Sequence, residues 1–175
     1  MSDQNYDVVI AGYATIDAAK KDFDALVQHV QSEHIKTTEG VILVEHDYGG
    51  EVHVTDTADH HGRKGMAWGG GVGVLVGLFA PPLLATVVVA GAAGGLVGKF
   101  VKHRIDSGLE SKMGQTLPEG TAGIIALVAH TDTPGVKEAL PGNFMCSVAP
   151  VDGDGVKALK QGLIEASKPG AGSAS

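Results

Sequence analysis

An α+β fold of the ferredoxin-like βαββαβ kind is predicted, interrupted by an apolar glycine-zipper helical hairpin and followed by a C-terminal αβα appendage. Three observations on the 175-residue chain predict it. Short β-branched runs and one amphipathic helical pattern open the sequence in the order β-α-β-β. A 34-residue stretch from Gly65 to Gly98 then carries no charge and is split into halves by Pro81-Pro82. A continuously apolar run, TAGIIALVA at 121–129, follows and completes the pattern.

Asp7 to Tyr13 (DVVIAGY) is the first strand, closing at a glycine. Thr15 is placed to cap a helix on which Ile16, Ala19, Phe23, Leu26, Val27 and Val30 recur at helical spacing, running to about His34. Val41–Glu45 and Val52–Thr55 read as two strands joined through Asp47-Tyr48-Gly49-Gly50, where glycine supplies the positive φ of a tight hairpin. Ile105–Gln115 reads as a short polar helix, and Thr121–Ala129 as a strand buried on both faces. A helix at Val136–Leu140, a strand at Asn143–Ala149 that could extend the sheet edge, and a helix at Val156–Ala166 form the appendage. The division expected is 1–64 for the first part of the α/β domain and 65–103 for the hairpin. Residues 104–167 hold the remainder with the appendage, and 168–175 (KPGAGSAS) form a tail disordered by composition.

Composition narrows the function classes. The net charge of −7, with no basic stripe, argues against nucleic acid, whose binding is dominated by phosphate neutralisation. Cys146 is the single cysteine, which excludes an intramolecular disulfide and a cysteine-built zinc cage. The polar start MSDQNY lacks the basic and apolar regions of a secretory signal, so the expected compartment is the cytoplasm. Only 5% of residues are aromatic while 26 are glycine, so close backbone approach must replace large side chains somewhere.

That place is the uncharged stretch. Gly65, Gly69, Gly73 and Gly77 stand four residues apart, and Ala90, Gly94 and Gly98 repeat the spacing with Gly91 and Gly95 beside them. Each glycine costs a helix interior about 1 kcal/mol relative to alanine. Repetition at one spacing is therefore explained by a second helix packing closely along the groove. Each 16-residue half would span roughly 24 Å, short of the roughly 30 Å of a bilayer core, so a re-entrant hairpin suits membrane insertion better than two crossings. Arg63 and Lys64 precede the stretch, and Lys99, Lys102 and Arg104 follow it, which keeps both ends cytoplasmic. Trp68 sits where an interfacial aromatic is expected. Three readings compete: a hairpin attached to the inner membrane from the cytoplasmic side, a soluble oligomer with the zipper buried between subunits, and a hairpin packed within its own monomer.

The segment VHVTDT at 52–57, HHGRKGMAWG at 60–69 and GVGVLVGLFAPPLLA at 71–85, with the opening VVIAGYATIDAAKKDFDAL, resembles the bacterial domain-of-unknown-function family 1269. The similarity spans roughly Asp7 to Val128 and leaves the part after His130 outside. That family is described as membrane- or stress-associated with no catalytic residues assigned, so the resemblance implies an association role and supplies no chemistry.

Chemistry-bearing residues are sparse. His53, Asp56, Asp59, His60 and His61 cluster before the uncharged stretch and are the weak metal candidates, His and carboxylate being suitable zinc ligands. A solvated polar rim or a pH-sensitive collar explains them as well, and no metal or other cofactor is expected. Gly71 and Gly73 are followed by Val76 where a dinucleotide fingerprint needs its third glycine, and no G-K-[ST] occurs. Asp152-Gly153-Asp154-Gly155 lacks the later ligands of a calcium loop, with Val156 and Leu163 in those places, and reads as a helix-initiating turn. Cys146, within FMCSV, reads as an inert core thiol. The expectation is a non-catalytic structural or interaction protein whose partner is itself or membrane lipid. The competing expectation is a homo-oligomeric module binding a small molecule or metal at the His53–His61 cluster.

Overall fold

The computed structural model describes residues 5–59, 61, 62, 64, 75, 108–151, 153 and 156. They form β1 (Tyr6–Tyr13), α1 (Ile16–Gln31), β2 (Thr38–His46), β3 (Val52–Asp59), α2 (Leu109–Thr116), β4 (Thr121–Ala129), a 3-10 turn (His130–Asp132), α3 (Thr133–Glu138) and β5 (Met145–Val151). The strands make one five-stranded sheet in the order β3-β2-β4-β1-β5, with every neighbouring pair antiparallel.

This sheet corrects the fold expected from the sequence. A ferredoxin-like sandwich sets its third strand between the first two. Here β4 takes that place, and β3 is an outer strand beside β2. Strand β5, expected within an appendage but able to extend the sheet edge, does extend it, paired along β1 from Tyr6↔Val151 to Gly12↔Met145. The described helices are α1 and two short ones of 8 and 6 residues, and none forms an apolar hairpin. The predicted hairpin of residues 65–103 lies outside the described residues except for Leu75, and the predicted last helix except for Val156.

The reason for the order lies in β4. Its sequence TAGIIALVA is apolar on both alternating faces, and every residue from Ala122 to Ala129 is buried. Only an inner strand covered on both sides satisfies such a pattern. On one side of the sheet, Val9, Ala11, Tyr13, Val41, Leu43, Ile124 and Ala126 meet Ala19, Phe23, Leu26 and Val27 of α1 and Val136 of α3. On the other, Val8, Ile10, Ile42, Val44, Ile125 and Leu127 meet Leu75, Leu109, Leu117 and Val156. Leu75 belongs to the uncharged stretch and is fully buried, a contribution of about 1.5–3 kcal/mol for a leucine side chain.

Local chemistry sets the ends of α1. The Thr15 hydroxyl accepts from the Ala18 amide at 3.3 Å, as an N-cap should. The helix stops at Gln31 rather than His34 because the Ser32 hydroxyl donates to the Gln28 carbonyl at 2.8 Å and Glu33 turns to φ 59°. A bulge between Leu43 and Val44 breaks the β2–β3 register, so that Val44 pairs with Val54 and Leu43 with Asp56.

One glycine of β1 is required by close approach. A Cβ on Gly12 would stand 2.1 Å from the backbone oxygen of Thr116, where the end of α2 crosses the sheet. Gly12→Ala should therefore lower stability by about 1–3 kcal/mol, the usual cost of overpacking. A Cβ on Gly114, within α2, meets nothing within 4 Å, so Gly114→Ala should raise stability by about 0.5–1 kcal/mol through helix propensity. Urea denaturation followed by circular dichroism checks both signs.

Candidate functional site

The metal candidates read from the sequence are not brought together. Strand β3 is extended from Val52 to Asp59, which at roughly 3.3 Å per residue separates His53 from Asp59 by roughly 20 Å. Asp56 turns its Oδ1 to the Thr57 amide at 2.8 Å, and Asp59 accepts from the His61 amide at 2.9 Å. His60 lies outside the described residues. One ion cannot be shared across this set.

His53 instead meets two acids of its own hairpin. Asp47 follows β2 and closes the turn: its Oδ1 accepts from the amides of Gly49 at 2.8 Å and Glu51 at 2.9 Å. Its other oxygen, Oδ2, lies 2.8 Å from His53 Nε2, and Glu51 Oε2 lies 3.9 Å from the same nitrogen. One ligand atom from each of Asp47, Glu51 and His53 falls within 4.8 Å of the others. Two carboxylates and an imidazole suit a borderline divalent ion with open positions for water. Such an ion would displace the proton shared between His53 and Asp47, so metal and proton compete for one nitrogen. All three side chains are largely solvated. The sequence held a signal for part of this set. Glu51 and His53 stand two apart at the start of a strand, and such residues share a face. Asp47 joins them only through the turn.

A second constellation was not legible at all. Asp7 of β1 is 2% exposed, and its Oδ2 accepts from Thr133 Oγ1 at 2.7 Å and meets His130 Nδ1 at 2.8 Å. Its partners stand 126 and 123 positions along the chain and arrive only because β4 pairs with β1.

The association residues expected from the sequence fall mostly elsewhere. Gly65, Gly69, Gly73, Gly77, Gly91, Gly94, Gly98 and Trp68, with Arg63, Lys99, Lys102 and Arg104, lie outside the described residues. Lys64 is described. It pairs with Asp24, lies 5.5 Å from the centre of the Phe23 ring, and bridges to Ala58. Among the described residues no helix is long and apolar enough to cross a membrane. Cys146 of β5 is half-buried, and burial pushes its thiol pKa up, which disfavours the nucleophilic thiolate.

A family model described as a protein of unknown function, DUF1269, matches residues 66–149. The match covers just under half of the chain and supports membership of the DUF1269 family. The match begins just inside the uncharged stretch and runs through β4 into β5. It thus takes in the part after His130 that the resemblance read from sequence left out, and stops short of β1 and α1. No curated protein and no solved structure matches the chain.

The hairpin triad carries a pH signature. The hydrogen bond that the His53 ring donates to Asp47 chiefly raises the His53 pKa, with the charges of Asp47, Glu51 and Glu45 adding to it. The same bond is the main cause that lowers Asp47, helped by the Glu51 and Gly49 amides. A raised imidazole stabilises the fold below its ordinary value and loses that contribution as pH climbs through the raised one. A lowered carboxylate contributes above its ordinary value and fails as pH falls through the lowered one. The pair is complete only between those limits. The His53 ring should titrate above an unstructured histidine in proton NMR and return toward the ordinary value in Asp47→Asn; an identical midpoint in both proteins would contradict the arrangement.

Proposed function

We propose that this chain is a non-catalytic association protein, in which the sheet is a platform for the uncharged segment 65–98 and that segment joins a second copy of the chain. The observation that carries the reading is the glycine spacing at 65, 69, 73 and 77 and again at 94 and 98, within 34 residues free of charge. Small residues at this spacing leave a smooth strip along which a second segment can approach closely.

Two described residues favour a second copy over lipid as the partner. Lys64, one of the flanking cations that would face lipid headgroups, is held by Asp24 and bridged to Ala58. Leu75, ten residues into the stretch, is fully buried against the sheet. The near end of the segment is thereby tied to its own domain. Lipid remains the second reading, resting on the basic flank of Lys99, Lys102 and Arg104 after the stretch.

Light scattering after gel filtration, with and without mild detergent, tests the proposal. A defined particle of several chains in both conditions is the expected result. Gly73→Leu and Gly94→Leu should reduce its size while leaving the sheet signal in circular dichroism unchanged. A monomer in both conditions, or recovery only with detergent and co-sedimentation with lipid vesicles, would overturn self-association.

A further inference from the structure

The end of the sheet where β1 begins carries a cavity of about 510 Å³ lined by Asn5, Asp7, His130, Val148, Pro150 and Val151. Its polar floor is built rather than incidental. A carboxylate as buried as Asp7 must find compensation for lost water. It takes both of its hydrogen bonds, from Thr133 and His130, on Oδ2 alone. Among the described residues nothing donates to Oδ1, so half of a buried carboxylate keeps its acceptor capacity. Because a carboxylate only accepts, His130 Nδ1 carries the proton toward it, and in the neutral ring Nε2 is a second acceptor. No lysine or arginine is among the described residues that line the space.

From these facts we infer that the cavity binds a small organic cation: an ammonium group donating to Asp7, with a compact apolar body against Val148 and Pro150. The charge-assisted bond from an ammonium to a carboxylate out of water is the strong kind. The volume falls within the range of small-molecule sites. The register places Pro150 directly across from Asp7 on β5, so one wall residue faces the charged one. The chain's net charge of −7 favours a cationic ligand over an anionic one. His130, whose side chain is 73% exposed, stands at the solvent side and orients through Asp7 rather than packing into the core. This inference is independent of self-association through the uncharged segment.

Isothermal titration of the full chain with benzylamine, benzyl alcohol and benzoate tests it, since the three share an aromatic body and differ in the head. Benzylamine should give saturable heat in the millimolar range, with the neutral and anionic probes at least about tenfold weaker. Asp7→Asn should weaken benzylamine by about tenfold or more. Pro150→Lys serves as a second variant, because Pro150 is exposed and the new ammonium would occupy Asp7 from within the chain. It should abolish binding with an unchanged circular dichroism spectrum. Absence of saturable heat with benzylamine, equal binding of all three probes, or undiminished affinity in folded Pro150→Lys would overturn the inference.

Discussion

Strand β4 has β1 on one side and β2 on the other, paired from Tyr6↔Ala129 to Tyr13↔Ala122 and from Thr38↔Val128 to His46↔Thr121. Everything else in the fold hangs from that double pairing. It makes β1 and β2 parallel to each other, as the crossover through α1 requires, and it supplies the antiparallel partner between them. It also presents Ile124 and Ala126 to one apolar layer and Ile125 and Leu127 to the other. A polar residue on either face of β4 would leave an uncompensated group in a closed interior.

Local signals in the sequence were sufficient for the strands and poor for their arrangement. The apolar run 121–129 and the run from Val52 are properties of neighbouring residues; the first strand lies where it is expected, while the second starts at Val52 but runs past the expected end at Thr55 to Asp59. Strand order depends on which apolar edge finds which partner across more than 60 residues, and nothing in the local pattern of β3 distinguishes an outer strand from an inner one. The end of α1 shows the same limit on a smaller scale. Helical periodicity runs on to His34, but the Ser32 side chain competes for the helix carbonyls and ends it earlier.

The candidate sites divide along the same line. Glu51 and His53 are two residues apart, and their shared face follows from strand geometry alone. Closeness in sequence does not by itself bring His53 to Asp56 and His61, because an extended strand carries residues apart faster than any other element. Asp7, His130 and Thr133 show the reverse: distant in sequence, they are joined by one carboxylate oxygen. Such a site follows only from topology.

The central position of β4 has a consequence for synthesis on the ribosome. Strands β1 and β2 and helix α1 are complete by His46, but the strand that belongs between them ends at Ala129. At translation rates of roughly 5–20 residues per second, the nascent chain spends on the order of 10 s with the slot between β1 and β2 vacant. Two strand edges rich in valine and isoleucine stay open over that interval, while the uncharged segment emerges beside them. The polypeptide is thus most exposed to wrong pairing, and most in need of a holding chaperone, midway through its own production.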